Sequence, residues 1–150
     1  MLKKINWGML ISHHPPCQYN RTISLGKYRF CARCTGIMIG IIISFLFYSG
    51  IDINLLLLLS FLLPLPAVFN FTLYEIGFIN NNNFYRIITG LLLGISIGWA
   101  ILNLLTNKIE YAFFSLLWIM ILEIIVTIIL HRAKVLEKFF AQYENGLFEE

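Results

Sequence analysis

The stretch "IITGLLLGISIGWAILNLLT", residues 87–106, decides the fold that we predict for this chain. It runs for 20 residues without a charged side chain, and about 20 apolar residues are the length of a helix that crosses a membrane. Residues 35–51, 54–74 and 111–130 have a similar character. The whole chain is 59% hydrophobic and 13% charged, whereas soluble domains carry about 25% charged residues. We therefore predict an all-α integral membrane protein, with about four transmembrane helices in a small bundle surrounded by the lipid bilayer.

The basic residues lie mainly on one side of this predicted bundle. Most of the 11 lysines and arginines come before residue 35 or after residue 130, and the opposite side holds only Lys108. Because basic residues favour the cytoplasmic side, we expect both termini to be cytoplasmic in the cell (inner) membrane, with the inverted topology as the alternative. Since these charges flank the spans, the net charge of +3 does not predict a nucleic-acid partner. The chain then divides into a cytoplasmic segment (1–34) that begins as an amphipathic stretch and ends in a Cys/His motif, the bundle (35–130) and a cytoplasmic amphipathic tail (131–150).

The segment before the first span contains all three cysteines and two of the three histidines. Zinc is bound by Cys and His side chains in sets of four, and a segment too short for its own core often folds around such a metal. Residues 22–30, "TISLGKYRF", predict a β-hairpin that turns at Gly26 and leads the chain back toward Cys17. We predict a Cys/His knuckle that binds zinc, with iron as the less favoured metal, through ligands chosen from His13, His14, Cys17, Cys31 and Cys34.

Two other interpretations of the cysteines stay open. Arg33 and the start of the first helix would lower the pKa of a neighbouring thiol, which favours a reactive, redox-active C-x-x-C pair. The cysteines are inert in the third interpretation. A structural disulfide is disfavoured because a cytoplasmic site keeps thiols reduced, and an iron–sulfur cluster usually requires four cysteines.

Two features of the spans predict how the helices pack. Pro64 and Pro66 remove backbone donors inside the second span, so the carbonyl groups they free must find partners in a buried kink. Small residues at four-residue spacing form a smooth stripe that another helix can approach closely. This stripe is either the packing surface of the bundle itself or the seam of a homo-oligomer, and its residues are Gly36, Gly40, Gly90, Gly94 and Gly98.

Polar side chains within the predicted spans are candidates for a membrane site. Glu123 lies inside the fourth predicted span, and a carboxyl group inside a bilayer is costly and therefore a functional candidate. The alternative is a structural role, in which Glu123 is protonated and hydrogen-bonded within the bundle. Arg86 would pair with an anionic headgroup or phosphate, or form an ion pair with Glu75. We predict a cavity facing the cytoplasm that is lined by Asn70, Glu75, Arg86, Thr89, Glu123 and Thr127.

The stretch "RTISLGKYRFCARCTGIMIG", residues 21–40, resembles the hallmark of a prokaryotic membrane-protein family known as domain of unknown function 2085. The resemblance covers residues from about 12 to 100. In the first block, Arg21-Thr22 and the run Cys31-Ala32-Arg33-Cys34-Thr35-Gly36 match the family pattern. A second block is matched by Pro66, Asn82-Asn83, Arg86 and Thr89-Gly90.

Three positions depart from that family pattern. The family has Cys-His-Gln upstream of its arginine, where this chain has His13-His14-Pro15-Pro16-Cys17-Gln18. Its Asp-Gly becomes Asn70-Phe71, and its glutamine falls at Tyr74. The family has no established biochemical role, so the resemblance implies an architecture and no reaction.

Three functional hypotheses follow. The first is a transporter, channel or metal-handling membrane component with a cytoplasmic zinc-type site. The second is an enzyme at the membrane surface, either a thiol oxidoreductase that uses Cys31 and Cys34 or a lipid-modifying protein. The third is a structural subunit, in which the metal only holds the N-terminal segment and Glu123 contributes only to stability.

Overall fold

The computed structural model describes residues 4–5, 14, 16–26, 28–80, 82–135, 137 and 148–149. Four of its segments are long and apolar enough to cross a membrane: Ala32–Gly50, Ile53–Ile76, Asn83–Leu105 and Ile109–Arg132. They contain the helices α1 (Ala32–Phe47), α2 (Ile53–Leu62), α3 (Pro64–Ile76), α4 (Asn83–Leu105) and α5 (Ile109–Arg132). The predicted helical membrane bundle with four spans is therefore confirmed.

The ends of these helices agree with local capping chemistry. The first span begins at Ala32, inside the cysteine motif, and not at residue 35. The third begins at Asn83, four residues before the predicted start, because the Asn82 side chain accepts a hydrogen bond from the Tyr85 amide at 3.1 Å and so caps the helix. α3 ends at Gly77, whose φ of +92° suits glycine.

Each span runs antiparallel to the one before it, because short loops connect them. One end of the bundle, here called the motif end, therefore contains the start of α1, the end of α3, the start of α4 and the end of α5. β1 (Lys4–Ile5) pairs with β4 (Phe148–Glu149), so the two chain termini are also adjacent. Most of the predicted N-terminal amphipathic segment and 12 of the 20 residues of the predicted amphipathic tail lie outside the described residues.

The second span is broken at Leu63, between α2 and α3, because Pro64 cannot donate to the carbonyl group four residues earlier. That carbonyl, of Ser60, accepts a hydrogen bond from the Ser96 hydroxyl of α4 at 2.9 Å. The carbonyl of Phe61 accepts one from the indole N–H of Trp118 on α5 at 3.0 Å. Pro64 and Ser60 are fully buried. The prediction of a buried kink is confirmed at Pro64, whose freed carbonyl group is satisfied by a neighbouring helix.

α1 and α4 pack together through the predicted glycine stripes. A Cβ atom at Gly36 or Gly40 would collide with the carbonyl oxygens of Ile87 or Leu91 on α4, and one at Gly94 would collide with that of Ile37 on α1. Gly90 and Gly98 continue this contact between α1 and α4, which we call the seam. Gly90 faces the Arg33 carbonyl, and Gly98 faces the Ser44 hydroxyl. The glycines are thus used for packing within one chain, and the homo-oligomer stays a prediction.

The large apolar side chains on the outer faces of the bundle are exposed, among them Phe45, Leu58, Phe113 and Ile124. α4 lies at the centre, since 50% of its most apolar stretch is buried against 22% in each of the other spans. An outward-facing apolar surface with a small-residue interior is typical of helices that are solvated by lipid.

We expect Gly94→Ala to lower the free energy of unfolding by about 1–3 kcal/mol, which is the usual cost of overpacking a closed interface. The new methyl group must displace the Ile37 backbone or separate the two helices. Denaturant unfolding of the detergent-purified protein, followed by circular dichroism, measures this change. The matched control is Gly50→Ala, where a Cβ atom meets no neighbour; equal stability of the two variants would contradict the seam.

Candidate functional site

The predicted hairpin is present and lies over the motif end. β2 (Thr22–Leu25) pairs antiparallel with β3 (Tyr28–Cys31), with Thr22 opposite Cys31, and Gly26 turns the chain with a φ of +62°. A 3-10 helix, Pro16–Arg21, leads directly into β2. The Asn83 side chain of α4 donates to the Thr22 carbonyl at 3.1 Å. This contact attaches the hairpin to the bundle and places Cys31 close to the start of α4.

Cys31, Cys34 and His14 form what we call the thiol cluster. Cys31 is buried, directly before α1, and Cys34 is exposed one turn later; both are reduced thiols. The hydrogen bond from Cys34 holds the pKa of the Cys31 thiol well below its usual range, and a hydrogen bond from His14 adds to this effect although burial opposes it. The His14 ring is itself oriented by Gln18, whose Oε1 lies 3.3 Å from Nδ1.

The predicted metal ligands are only partly described. His13 lies outside the described residues, and so does the side chain of Cys17, whose backbone belongs to the 3-10 helix before β2. Across the described residues, no three His, Cys, Asp or Glu side chains are arranged to hold a metal ion. The thiol cluster has donors of the type that zinc prefers, but these three side chains are not by themselves arranged as a metal site.

Three arginines meet beside the thiol cluster, and we call Arg21, Arg33 and Arg86, together with Glu75, the arginine cluster. The Glu75 carboxylate accepts hydrogen bonds from both terminal nitrogens of Arg21, at 2.6 and 3.4 Å. These two side chains are 13% and 8% exposed. Glu75 therefore pairs with Arg21, and the pair with Arg86 that the sequence allowed does not form.

Aromatic rings on α3 support the arginine cluster. The guanidinium of Arg33 lies 4.7 Å from the centre of the Phe71 ring. The Tyr74 ring is contacted by two guanidinium groups, Arg21 at 4.7 Å and Arg86 at 4.3 Å. Such stacking stabilises the flat faces of the cations and leaves their N–H edges available for hydrogen bonds.

Two of these guanidinium groups have a buried N–H donor without a hydrogen-bond acceptor among the described residues. These donors are the Nε atoms of Arg33 and Arg86. Arg33 and Arg86 also repel each other, and within the described part of the chain neither has a carboxylate at ion-pair distance. Unpartnered buried donors are rare and costly, so the arginine cluster has unused capacity to bind an anion.

An open cavity of about 310 Å³ adjoins Arg33. The predicted membrane residues Glu123 and Thr127 line it, while the Thr127 hydroxyl donates to the Glu123 carbonyl at 2.8 Å. Its remaining lining is apolar and comes from Ala67, Val68, Phe71, Leu93 and Val126.

The other predicted membrane residues lie elsewhere. Thr89 is buried and donates to the Tyr85 carbonyl at 2.8 Å, Asn70 lies half-buried on α3, and Glu75 and Arg86 belong to the arginine cluster. Arg21, Phe71 and Tyr74 are site residues that sequence reasoning did not select. The spacing of Phe71, Tyr74 and Glu75 placed them on one helix face, but their partners lie on other elements.

We expect Glu75→Gln to lower the free energy of unfolding by about 3 kcal/mol, because breaking a buried ion pair leaves an uncompensated charge. Arg21 would then face Arg33 and Arg86 without a carboxylate. Thermal and denaturant unfolding of purified protein measure the loss. Glu110→Gln, at the exposed start of α5, is the matched control and should change stability by no more than about 0.5 kcal/mol; a similar small effect of Glu75→Gln would contradict the role of the pair.

Comparison with known proteins agrees with this architecture. The profile of a family described as "Predicted membrane protein (DUF2085)" matches residues 17–100, which is more than half of the chain. The match covers the hairpin, the first two spans and most of α4, and it includes every member of the arginine cluster. Comparison with curated proteins and with solved structures gave no match. The chain therefore belongs to the DUF2085 family of predicted membrane proteins.

Proposed function

We propose that this membrane protein binds a zinc ion at the thiol cluster and acts as a metal-handling component of the cytoplasmic membrane. The observation that supports this proposal is the contact of the Cys31 thiol with both Cys34 and His14 at the start of α1. Sulfur and imidazole nitrogen are the donors that zinc prefers. Their deprotonated forms bind the metal, so affinity should fall as the pH is lowered.

A fourth ligand in this proposal comes from Cys17 or His13. The hairpin register supports Cys17, because Thr22 lies opposite Cys31 and the 3-10 helix that contains Cys17 ends immediately before Thr22. Four protein ligands would close the site and give it a structural role, whereas three ligands and a water would permit chemistry. The abundance of donors favours a closed site, which would hold the N-terminal segment on the bundle.

Transport or channel activity would need polar groups inside the membrane. Glu123 and Thr127 line the cavity beside Arg33. We propose that these two residues would supply the polar groups for such an activity. A purely structural subunit would keep the metal and make no use of the Glu123 carboxyl group.

Thiol–disulfide exchange is the second candidate function, favoured by the contact between the two thiols at a helix start. The Cys31 thiolate would attack a substrate disulfide and release one substrate thiolate, which takes up a proton. Cys34, after losing its proton, would then attack the mixed disulfide. The products are a Cys31–Cys34 disulfide and a substrate reduced to two thiols.

Elemental analysis of the detergent-purified protein tests the metal proposal. We expect about one zinc per chain, as in a single four-ligand site, and loss of that zinc in Cys31→Ser/Cys34→Ser. His14→Ala should lower the zinc content, while His131→Ala, at the exposed end of α5, should leave it unchanged.

Two outcomes of the metal measurement separate the candidates. Wild-type protein without zinc or iron, whose thiols react rapidly and form a reversible Cys31–Cys34 disulfide, would contradict the metal site and support thiol–disulfide exchange. Iron in place of zinc would keep the site and change the identity of the metal.

A further inference from the structure

The arginine cluster has more positive charge than the described residues neutralise. Three guanidinium groups face one carboxylate, and that carboxylate is engaged by Arg21. Arg86 is only 6% exposed, so water cannot readily solvate it. A charge buried in protein is costly unless it is paired and hydrogen-bonded, so buried charges ordinarily have a counter-ion.

No other acidic side chain in the described part of the chain supplies the missing charge. Glu123 lines the same cavity as Arg33 but forms no ion pair with it. Glu123 also lies nine residues before the end of α5, which at about 1.5 Å per residue places it about 13 Å deeper in the bundle than the motif end. Phe71 and Tyr74 contact the guanidinium faces and leave the Nε–H edges without acceptors.

The cavity supplies an apolar compartment next to this unneutralised charge. Arg33 belongs both to the arginine cluster and to the cavity lining, and Val68, Phe71 and Leu93 make most of the adjoining surface apolar. Its volume of about 310 Å³ is at the lower end of the range for small-molecule sites. A ligand that fits both parts has an anionic head and a hydrocarbon chain.

We propose that Arg33 and Arg86 bind the phosphate group of an anionic amphiphile, whose hydrocarbon chain enters the cavity beside Phe71. Guanidinium groups present several N–H donors in a plane and bind phosphate oxygens in pairs. The cluster lies where helices begin and end, which is the depth of lipid headgroups. The phosphate would offset the charge of Arg33 and Arg86 and accept hydrogen bonds from their Nε atoms, which have no acceptor among the described residues. This site does not depend on the metal proposed for the thiol cluster.

The test is a ligand-dependent melting experiment on the full chain, purified in a nonionic detergent. The probes are dioctanoyl phosphatidic acid, dioctanoyl phosphatidylcholine and inorganic phosphate. We expect phosphatidic acid to raise the melting temperature at concentrations where the other two probes do not. Arg33→Gln and Arg86→Gln should each weaken the apparent affinity at least about tenfold, since each removes a cation and its charge-assisted hydrogen bonds to the phosphate.

Two further variants keep the result interpretable. Arg29→Gln is the matched control, because Arg29 is exposed on the hairpin and stacks on Tyr19 at 4.6 Å; it should bind phosphatidic acid as the wild type does. Val68→Phe should fill the cavity and weaken binding of phosphatidic acid while leaving the arginine cluster intact.

Three results would overturn the proposal. Equal stabilisation by phosphatidic acid and phosphatidylcholine would show that charge is not recognised. Undiminished binding in folded Arg33→Gln protein would exclude the cluster as the headgroup site. Inorganic phosphate that binds as tightly as phosphatidic acid, with no effect of Val68→Phe, would replace the amphiphile with a free anion.

Discussion

The close approach of α1 to α4 is the constraint on which the rest of the structure depends. Apolar side chains gain little from leaving lipid for another apolar surface, so helices in membranes are held by close packing and hydrogen bonds. Here the two backbones meet because glycines on both helices remove the side chains between them. The contact runs from the Arg33 carbonyl facing Gly90 to the Ser44 hydroxyl facing Gly98. A larger residue anywhere along this seam would move one helix relative to the other.

The alignment of α1 against α4 fixes the positions of both the thiol cluster and the arginine cluster. Cys31 and Arg33 lie at the start of α1, so the same packing that brings Arg33 beside Arg86 also fixes the position of the thiol cluster at the motif end. A shift of one helical turn would move these groups by about 5.4 Å, enough to separate Arg33 from Phe71 and to break the cluster. The Arg21–Glu75 pair and the Asn83–Thr22 contact then connect the N-terminal segment to α3 and α4. A metal at the thiol cluster would strengthen the same connection.

The sequence predicted the four spans because length and hydropathy are local properties, and it predicted the proline kink because the missing N–H is a property of Pro64 itself. The partners of that kink, Ser96 and Trp118, could not be predicted, since they lie 36 and 57 residues from the carbonyl groups they satisfy. The glycine stripes predicted close packing of helices. They did not identify the partner helix, because a stripe of small residues can pack against any helix of the bundle or against a second copy of the chain. Arg33 was interpreted only as a neighbour of the thiols, because spacing does not give the direction of a long side chain at a helix start. The roles of His13 and Cys17 stay predictions.

Disulfide cross-linking across the seam tests the packing of α1 on α4 most directly. A Cβ atom at Gly98 would lie 2.8 Å from that of Ser44, so a small adjustment reaches the spacing of about 3.5–4.5 Å that a disulfide requires. Oxidation of Ser44→Cys/Gly98→Cys protein, with peptide mapping by mass spectrometry and each single variant as control, should give a 44–98 disulfide within one chain, at monomer mass and independent of protein concentration. A 44–98 disulfide that joins two chains, or none at all in folded protein, would contradict the seam.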